Sequence, residues 1–159
     1  MPETTIEFLA EILERYGLQY LATIGLDGKP KVRPIQFMTL RDRKMWFCTN
    51  NKKSMYAELQ TSPYVEICAS SLETDQINSH WVRFSAEAVF PPQSELVSQV
   101  KKDIMEKSPI VHELYHDNPD NPIFVVFYLK NIQGTFQNLG HVSGLEERED
   151  FSKPISFSI

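Results

Sequence analysis

The chain has 159 residues, of which 16 are Lys or Arg and 21 are Asp or Glu, so its formal net charge is −5. This length suits a single domain with one hydrophobic core. The acidic balance disfavours a general nucleic-acid-binding protein and a protein attracted to anionic membranes, because both need an excess of positive charge. Any anionic ligand must therefore meet a local cluster of positive charge.

The cysteines and the apolar segments indicate a soluble protein. Cys48 and Cys68 each lie in an apolar stretch, which predicts two buried free thiols rather than a disulfide framework. The longest apolar run, 123–129, is much shorter than a bilayer span, and the sequence shows no signal-peptide pattern. We therefore expect a soluble, cytoplasmic protein.

The first part of the chain predicts a helix, three strands and a second helix. Apolar residues at helical spacing follow Thr4 and Glu7, which have the spacing of a capping box, and Gly17 ends this first helix. The pair Asp27-Gly28 favours a hairpin turn between the first two strands. The strands are predicted at 18–26, 31–40 and 45–49, and the second helix at 52–60.

The second part predicts three further strands and one further helix. In strand 81–90 the apolar residues alternate and share one face. The other strands are predicted at 64–69 and at 123–129, the latter resuming near 134–137, and the helix at 93–107. A polar loop is predicted at 71–78, and no structure is predicted from residue 139 onward.

The order of these elements favours a mainly β fold with peripheral helices. Short turns join neighbouring strands, which indicates an antiparallel sheet or a small barrel rather than a doubly wound parallel sheet. The sequence also lacks the G-x-G-x-x-G and P-loop motifs of common nucleotide-binding folds.

The segment FCTNNKKSMYAEL, residues 47–59, is a candidate phosphate site. Lys52 and Lys53 lie in the first turn of the predicted helix, where the helix dipole disfavours cations. A bound phosphate would reverse that effect, since the helix amides, both lysines and the Thr49 hydroxyl could all face one anion. The alternative is a solvated turn with two surface lysines. When this segment is considered alone, that alternative is the favoured interpretation.

The segment KPKVRPIQFM, residues 29–38, is a second cluster of positive charge. Strand alternation places Arg33 and Ile35 on one face and Pro34 and Gln36 on the other. Because proline lacks an amide hydrogen, this strand is predicted at a sheet edge or a bulge, where unpaired backbone groups could meet a ligand. The alternative is a hairpin whose basic residues are simply solvated.

The segment HWVRF, residues 80–84, places Trp81 and Arg83 on the face opposite the apolar one. A ring beside a guanidinium could stack on a planar ligand or be buried at a subunit contact. A Trp packed under a helix with an exposed Arg is an equal alternative.

The segment HELYH contains His112 and His116 in the H-E-x-x-H pattern of zinc proteases. Such a site needs both histidines on one stable helix, together with a third ligand. Here the candidate helix follows Pro109 and is cut short at 117–119, and His141 lacks the glycine-spaced extension. These departures make a zinc site the least favoured interpretation.

Taken together, these segments resemble the pyridoxamine 5′-phosphate oxidase-related, FMN-binding split-barrel family, in particular its short, nitroimidazole-reductase-like branch. The resemblance is carried by ATIGLDGKPKVRPIQFM (22–38), FCTNNKKSMYAELQTSPYVEI (47–67), WVRFSAEAVF (81–90) and NPIFVVFYL (121–129). It implies a six-stranded antiparallel split β-barrel over residues 1–138, followed by a tail of unknown structure at 139–159. It also implies a homodimer with FMN in the groove between subunits.

The resemblance also implies roles for individual residues. The phosphate and isoalloxazine region would be lined by Arg33, Pro34, Ile35 and Gln36. The phosphate and ribityl chain would be held by Thr49, Asn50, Lys52 and Lys53. Trp81 and Arg83 would approach the ring system, either from the same chain or from the partner chain.

Two departures from the family pattern bear on function. Met38 stands where the pyridoxamine-phosphate oxidases close this strand motif with a basic residue, and the C-terminal SKPISFSI lacks their Arg-x-His substrate motif. We therefore expect a flavin-dependent oxidoreductase that acts on another small molecule, with NAD(P)H as a candidate reductant. The alternatives are a flavin- or haem-binding module without turnover and, last, a zinc hydrolase using His112 and His116.

Overall fold

The computed structural model describes residues 4–71, 79–138 and 154–159, which form four helices and eight strands. The helices are α1 (Ile6–Tyr16), α2 (Ser54–Thr61), α3 (Glu95–Lys107) and α4 (Pro109–Leu114). The strands are β1 (Gln19–Ile24), β2 (Pro30–Ile35), β3 (Thr39–Arg41), β4 (Lys44–Asn50), β5 (Tyr64–Ser70), β6 (His80–Val89), β7 (Phe124–Asn138) and β8 (Ile155–Ser158). No helix in this described part is both long and apolar enough to cross a membrane.

The antiparallel sheet curls into a split barrel because its two edge strands are consecutive in the chain. The strands follow the order β2-β1-β5-β6-β7-β4-β3, and β8 pairs with the second half of β7. Seven strands laid flat would place β2 about 29 Å from β3. The three residues that join them, 36–38, can span no more than about 14 Å. The two edges must therefore approach each other around a common core.

The mainly β, antiparallel architecture expected from the sequence is confirmed, but the sheet has eight strands rather than six. The predicted strand 31–40 is divided into β2 and β3. It breaks because the Phe37 amide donates to the Gln19 side chain and the Met38 amide donates to the Trp46 carbonyl, which carries the chain from β1 across to β4. The other additional strand, β8, lies in the segment for which the sequence predicts no structure.

The edge position predicted for Pro34 is confirmed. Strand β2 pairs with β1 alone, and Pro34 lies opposite Tyr20 in that ladder. A proline is tolerated there because its missing amide hydrogen faces no second strand. The outer side of β2 is therefore free to border a cleft.

Helix α1 begins one residue later than the capping-box spacing predicts. Thr5 is the N-cap, and its side chain accepts a hydrogen bond from the Phe8 amide at 3.2 Å. Thr4 is buried instead, so the predicted Thr4–Glu7 pair is wrong. Gly17 ends the helix with a φ of 84°, a conformation that glycine adopts without steric cost.

The main core lies between α1 and the inner face of the sheet. Leu9, Ile12 and Leu13 of α1 are fully buried there. The apolar face predicted for strand 81–90 is confirmed, because alternate residues of β6 are buried: Val82, Phe84, Ala86 and Ala88. The period-two pattern of the sequence thus corresponds to the two faces of the curled sheet.

A second, smaller core lies on the other side of β4 and β7, under α3 and α4. Trp46 of β4 is fully buried at its centre, and its indole NH donates to the Arg41 carbonyl at 3.0 Å. The helix predicted at 93–107 is confirmed as α3, which begins after Ser94 as N-cap. The buried side chains of α3 share this core with Val111 of α4 and with Tyr115, the residue that follows α4. This packing fixes α4 beside the end of β4.

The prediction of two buried thiols is wrong for Cys68, which is exposed. In β5 the residues Val65, Ile67 and Ala69 face the core, so Cys68 between them points outward. Cys48 is partly buried, and both cysteines are free thiols.

Candidate functional site

A cleft of about 200 Å³ lies between β2, the end of β4 and α4. The edge strand β2, the start of α2 and helix α4 meet at this cleft. Its lining residues are Arg33, Pro34, Ile35, Gln36, Met38, Cys48, Thr49, Lys53, Met55, Val111, Leu114 and Tyr115. Six of the ten residues predicted for the cofactor site are among them: Arg33, Pro34, Ile35, Gln36, Thr49 and Lys53.

Arg33 enters this cleft as part of an ion pair. Its Nη2 donates to Oε1 of Glu58 at 2.7 Å, and its Nη1 donates to the Thr23 hydroxyl at 2.9 Å. Glu58 lies on α2 and is only 4% exposed. The pair therefore ties the edge strand β2 to helix α2 and fixes the position of the guanidinium.

The Thr49 hydroxyl has an unused hydrogen-bonding capacity. Its Oγ1 is buried, and no group in the described part of the chain bonds to it. Buried hydroxyls are normally bonded, since an unsatisfied one costs about 1–3 kcal/mol. Thr49 also lines the cleft, so a bound molecule that reaches its hydroxyl there would satisfy it.

Helix α2 begins beside Thr49, with Lys53 as its N-cap. The Lys53 side chain makes no capping bond, and the first helical turn contains no acidic residue. Lys53 is exposed, and within the described residues it has no ion-pair partner. The observed helix starts two residues after the predicted 52, so Lys52 lies before it rather than in its first turn.

Helix α4 and Tyr115, its C-terminal boundary, supply the wall of the cleft that sequence reasoning missed. Val111 and Tyr115 are buried, whereas Leu114 is 58% exposed, yet all three line the cleft. Their spacing of three and four residues is typical of one helix face, which is the pattern that could have identified them. Burial raises the pKa of Tyr115, against an opposing effect of the Asn50 side chain, so the phenol stays protonated at neutral pH.

The cleft has a cationic end, where Arg33 and Lys53 lie next to α2. Met38 lies about 10 Å away along β4, since its amide donates to the carbonyl of Trp46, three strand residues before Thr49. The Lys107 ammonium donates to the Met38 carbonyl at 2.6 Å, so this part of the cleft also borders a cation. The cationic end suits a ligand with an anionic group.

Cys48 contributes a neutral thiol to this cleft. Burial raises its pKa to about 12, although the charge of Lys53 acts against this shift. A thiol with such a pKa is almost entirely protonated at neutral pH and is a poor nucleophile. The cleft therefore offers no activated cysteine.

Four residues predicted for the site do not line this cleft in the single chain. Asn50 turns its side chain to the backbone, where Oδ1 accepts from the Lys52 amide at 3.0 Å. Trp81 and Arg83 lie on β6, two strands away from β2's neighbour β1 in the sheet. Arg83 is exposed and pairs with Glu66 of β5 at 3.4 Å.

The H-E-x-x-H segment does not form two successive turns of one helix. Helix α4 ends at Leu114, and His116 follows it in a left-handed conformation with a φ of 55°. His112 bonds to Asp117 at 2.8 Å rather than to a shared centre with His116. No group of three potential metal ligands occurs in the described ranges, and His141 lies outside them.

A family model described as pyridoxamine 5′-phosphate oxidase matches residues 5–138. The chain belongs to the pyridoxamine 5′-phosphate oxidase family. Every residue that lines the cleft falls within the range that the family model covers. A search of curated protein sequences finds no match.

Solved structures with the fold of this family are similar over most of the chain. A NimC/NimA family protein from Clostridium acetobutylicum gives a TM-score of 0.75 at 23% identity, covering 97% of this chain and 92% of that one. A heme-binding protein from Mycobacterium smegmatis gives 0.72 at 15% identity, covering 99% and 59%. A pyridoxamine 5′-phosphate oxidase-related, FMN-binding protein from Nostoc punctiforme gives 0.65 at 16% identity, covering 100% and 99%. At these identities the similarity establishes the shared fold.

Proposed function

We propose that this family member binds FMN in the cleft and acts as a flavin-dependent oxidoreductase on a small molecule. The observation that carries the proposal is the buried, unbonded Thr49 hydroxyl beside Lys53 at the cationic end of the cleft. A phosphate group would satisfy that hydroxyl and the unpaired ammonium together. The FMN-binding protein from Nostoc punctiforme, which shares this fold, supports the same assignment.

In this proposal the chain supplies binding and orientation, while FMN supplies hydride or electron transfer when bound. Arg33, Lys53, the Thr49 hydroxyl and the first amides of α2 would hold the phosphate. Ile35 at the end of β2 and Gln36 in the link that follows it would face the ring, and Val111 and the residues beside it would exclude water from its apolar part. We assign no acid or base, since the cleft offers no activated thiol and no histidine in its described lining.

We further propose that the working unit is a homodimer with FMN at the subunit interface. The cleft of a single chain, about 200 Å³, is smaller than the roughly 300–1,000 Å³ of typical ligand pockets. Trp81 and Arg83 are outside it, and a partner chain could bring them to the ring. The FMN-binding unit spans 1–138, and β8 of the segment 139–159 adds a strand to it. The free thiols of both cysteines suit the cytoplasm.

Haem is the second candidate, because the heme-binding protein from Mycobacterium smegmatis has the same fold. Haem iron is held in proteins by His, a Cys thiolate, Met paired with His, or Tyr. The cleft offers Cys48 with a raised pKa and Tyr115, which stacks on Phe124 at 4.4 Å between ring centroids. These groups are poorly prepared as iron ligands, so the chemistry of the cleft favours FMN.

The absorption spectrum of the purified protein, before and after separate additions of FMN and of haem, tests the proposal. We expect flavin bands that bleach on addition of NAD(P)H or dithionite and return with a suitable acceptor. A Soret band would support haem instead. A protein that takes up neither FMN nor haem would overturn both assignments, and flavin that is bound but never turns over would restrict the function to a binding module.

A further inference from the structure

A closed network of three buried or half-buried side chains lies behind the cationic end of the cleft. Oε1 of Glu58 accepts from Nη2 of Arg33 at 2.7 Å and from the Thr23 hydroxyl at 3.1 Å. Nη1 of Arg33 donates to the same Thr23 hydroxyl at 2.9 Å. Glu58 and Thr23 are each 4% exposed, so the network joins β1, β2 and α2 away from bulk water.

The two cations of the cleft differ in whether the protein itself supplies a counter-ion. The charge of Arg33 is compensated by Glu58, whereas Lys53 has no ion-pair partner within the part of the chain that the structure describes. The cationic end thus holds two positive charges and one negative charge, a formal sum of +1. An anion that approaches Arg33 must share it with a carboxylate whose attraction is strong in a water-poor environment.

We infer that Glu58 is an internal counter-anion that competes with the ligand's phosphate for Arg33 and so sets how strongly the cleft prefers FMN over riboflavin. The inference rests on the proposed function. Glu58 does not line the cleft, so it acts through Arg33 as a positioning residue. Removing its charge while keeping its hydrogen-bonding oxygen leaves the phosphate as the main counter-ion of Arg33.

The test compares Glu58→Gln with the wild-type protein by flavin-fluorescence titration. We expect the ratio of the riboflavin Kd to the FMN Kd to rise about tenfold, which corresponds to about 1.4 kcal/mol, while the riboflavin Kd stays nearly unchanged. A purely structural role would weaken both ligands equally and leave the ratio as it was. An unchanged or lower ratio overturns the inference.

Two further variants separate the Arg33 contact from a general charge effect. Glu11→Gln removes the same charge from an exposed residue of α1 that does not line the cleft, so the ratio should stay constant. In the double variant Arg33→Gln/Glu58→Gln, the ratio of the riboflavin Kd to the FMN Kd should not exceed that of Arg33→Gln, because there is no guanidinium for Glu58 to release. A higher ratio in the double variant would overturn competition for Arg33.

A measurement that does not require flavin distinguishes failure of this inference from failure of the FMN assignment. Inorganic phosphate should raise the Tm of Glu58→Gln more than that of the wild-type protein or Glu11→Gln, whether or not flavin binds. An equal phosphate-dependent rise overturns the role of Glu58. If Glu58→Gln does not fold, Glu58→Asp gives the same test, because the shorter side chain withdraws the carboxylate from Arg33. The Kd ratio and the phosphate-dependent increase in Tm should then both rise, by less than in Glu58→Gln. If neither rises, the inference is overturned.

Discussion

The hydroxyl of Tyr115 donates to the backbone carbonyl of Thr49 at 3.4 Å, across 66 residues of sequence. This bond joins the residue that follows α4 to the end of β4, where Thr49 lines the cleft. The Tyr115 ring also stacks on Phe124, with centroids 4.4 Å apart and an interplanar angle of 18°. The wall that α4 adds to the cleft is therefore held mainly by ring packing and only weakly by the long hydrogen bond.

Substitution of Tyr115 should separate these two contributions. Tyr115→Phe keeps the stacked ring and should lower the free energy of unfolding by about 1 kcal/mol or less. Tyr115→Ala removes a buried ring and should lower it by about 3–5 kcal/mol. Urea denaturation measures both, and Tyr64→Phe, at an exposed tyrosine, is the control with no expected change. Equal losses in Phe and Ala variants would show that the hydroxyl dominates.

Thr49→Val should have opposite effects on stability and on binding. The substitution removes a buried hydroxyl that has no partner among the described residues, so the free protein should be about 1 kcal/mol more stable. FMN should bind more weakly by about 1.5–3 kcal/mol, the value of a hydrogen bond to a charged group. Denaturation and fluorescence titration measure the two effects. A free protein destabilised by more than about 1 kcal/mol would mean that the hydroxyl is already satisfied without a ligand.

Much of this fold is encoded in patterns within one element, and these were predictable. The alternation in β6 identified its buried face, and Pro34 identified an edge strand, because each depends only on neighbouring residues. The sequence predicts antiparallel pairing of strand 31–40 with strand 45–49, which would bring Arg33 within reach of Thr49. Both residues do line one cleft with Lys53, but that pairing is wrong for Arg33, because β2 pairs with β1 and only the link 36–38 leads on toward β4.

The features that were missed depend on contacts between distant elements. Glu58 lies on a short helix of low amphipathicity, and its burial is explained by its contacts with Arg33 and Thr23, 25 and 35 residues earlier. Val111 and Leu114 border the cleft because α3 and α4 dock around Trp46, which no local pattern specifies. Strand β8 has four residues, too few for a clear alternation, and exists by pairing with β7.

Lys53 and Lys52 form a matched pair for testing the phosphate contact. Lys53→Ala should weaken FMN binding by about 1.5–3 kcal/mol and leave riboflavin binding nearly unchanged, because only FMN carries a phosphate. Lys52→Ala should change either affinity by less than about 0.5 kcal/mol, since Lys52 is exposed and does not line the cleft. Parallel fluorescence titrations with both flavins decide it. An equal loss for riboflavin would mean that Lys53 is wrongly assigned to the phosphate.

Arg33→Ala is less informative than the lysine variant. Removal of the guanidinium leaves Glu58 buried without its cation, which should lower the free energy of unfolding by about 3–5 kcal/mol. The loss of FMN binding would then combine a missing contact with a disturbed β2 edge. Thermal denaturation of Arg33→Ala beside Lys53→Ala checks this expectation, since Lys53 is exposed and its loss should leave the Tm nearly constant. Equal Tm values for the two variants would contradict it.

The two thiols should differ in reactivity toward iodoacetamide. Cys68 is exposed and should be modified first, although burial raises its pKa as well. The pKa of Cys48 is raised to about 12, so at pH 8 only about one molecule in 10,000 carries its thiolate. Mass spectrometry of tryptic peptides follows both sites, and Cys68→Ser should leave only the slow reaction. That reaction should accelerate steadily between pH 8 and about pH 10, still below the pKa.

FMN should slow the modification of Cys48 further, because this residue lines the cleft. Riboflavin at a saturating concentration is the control, since the protection depends on occupation of the cleft rather than on the phosphate. Modification of Cys48 ahead of Cys68 would contradict the raised pKa. Saturating FMN that does not protect Cys48 would place the flavin elsewhere on the molecule, because Cys48 is one of the residues that line this cleft.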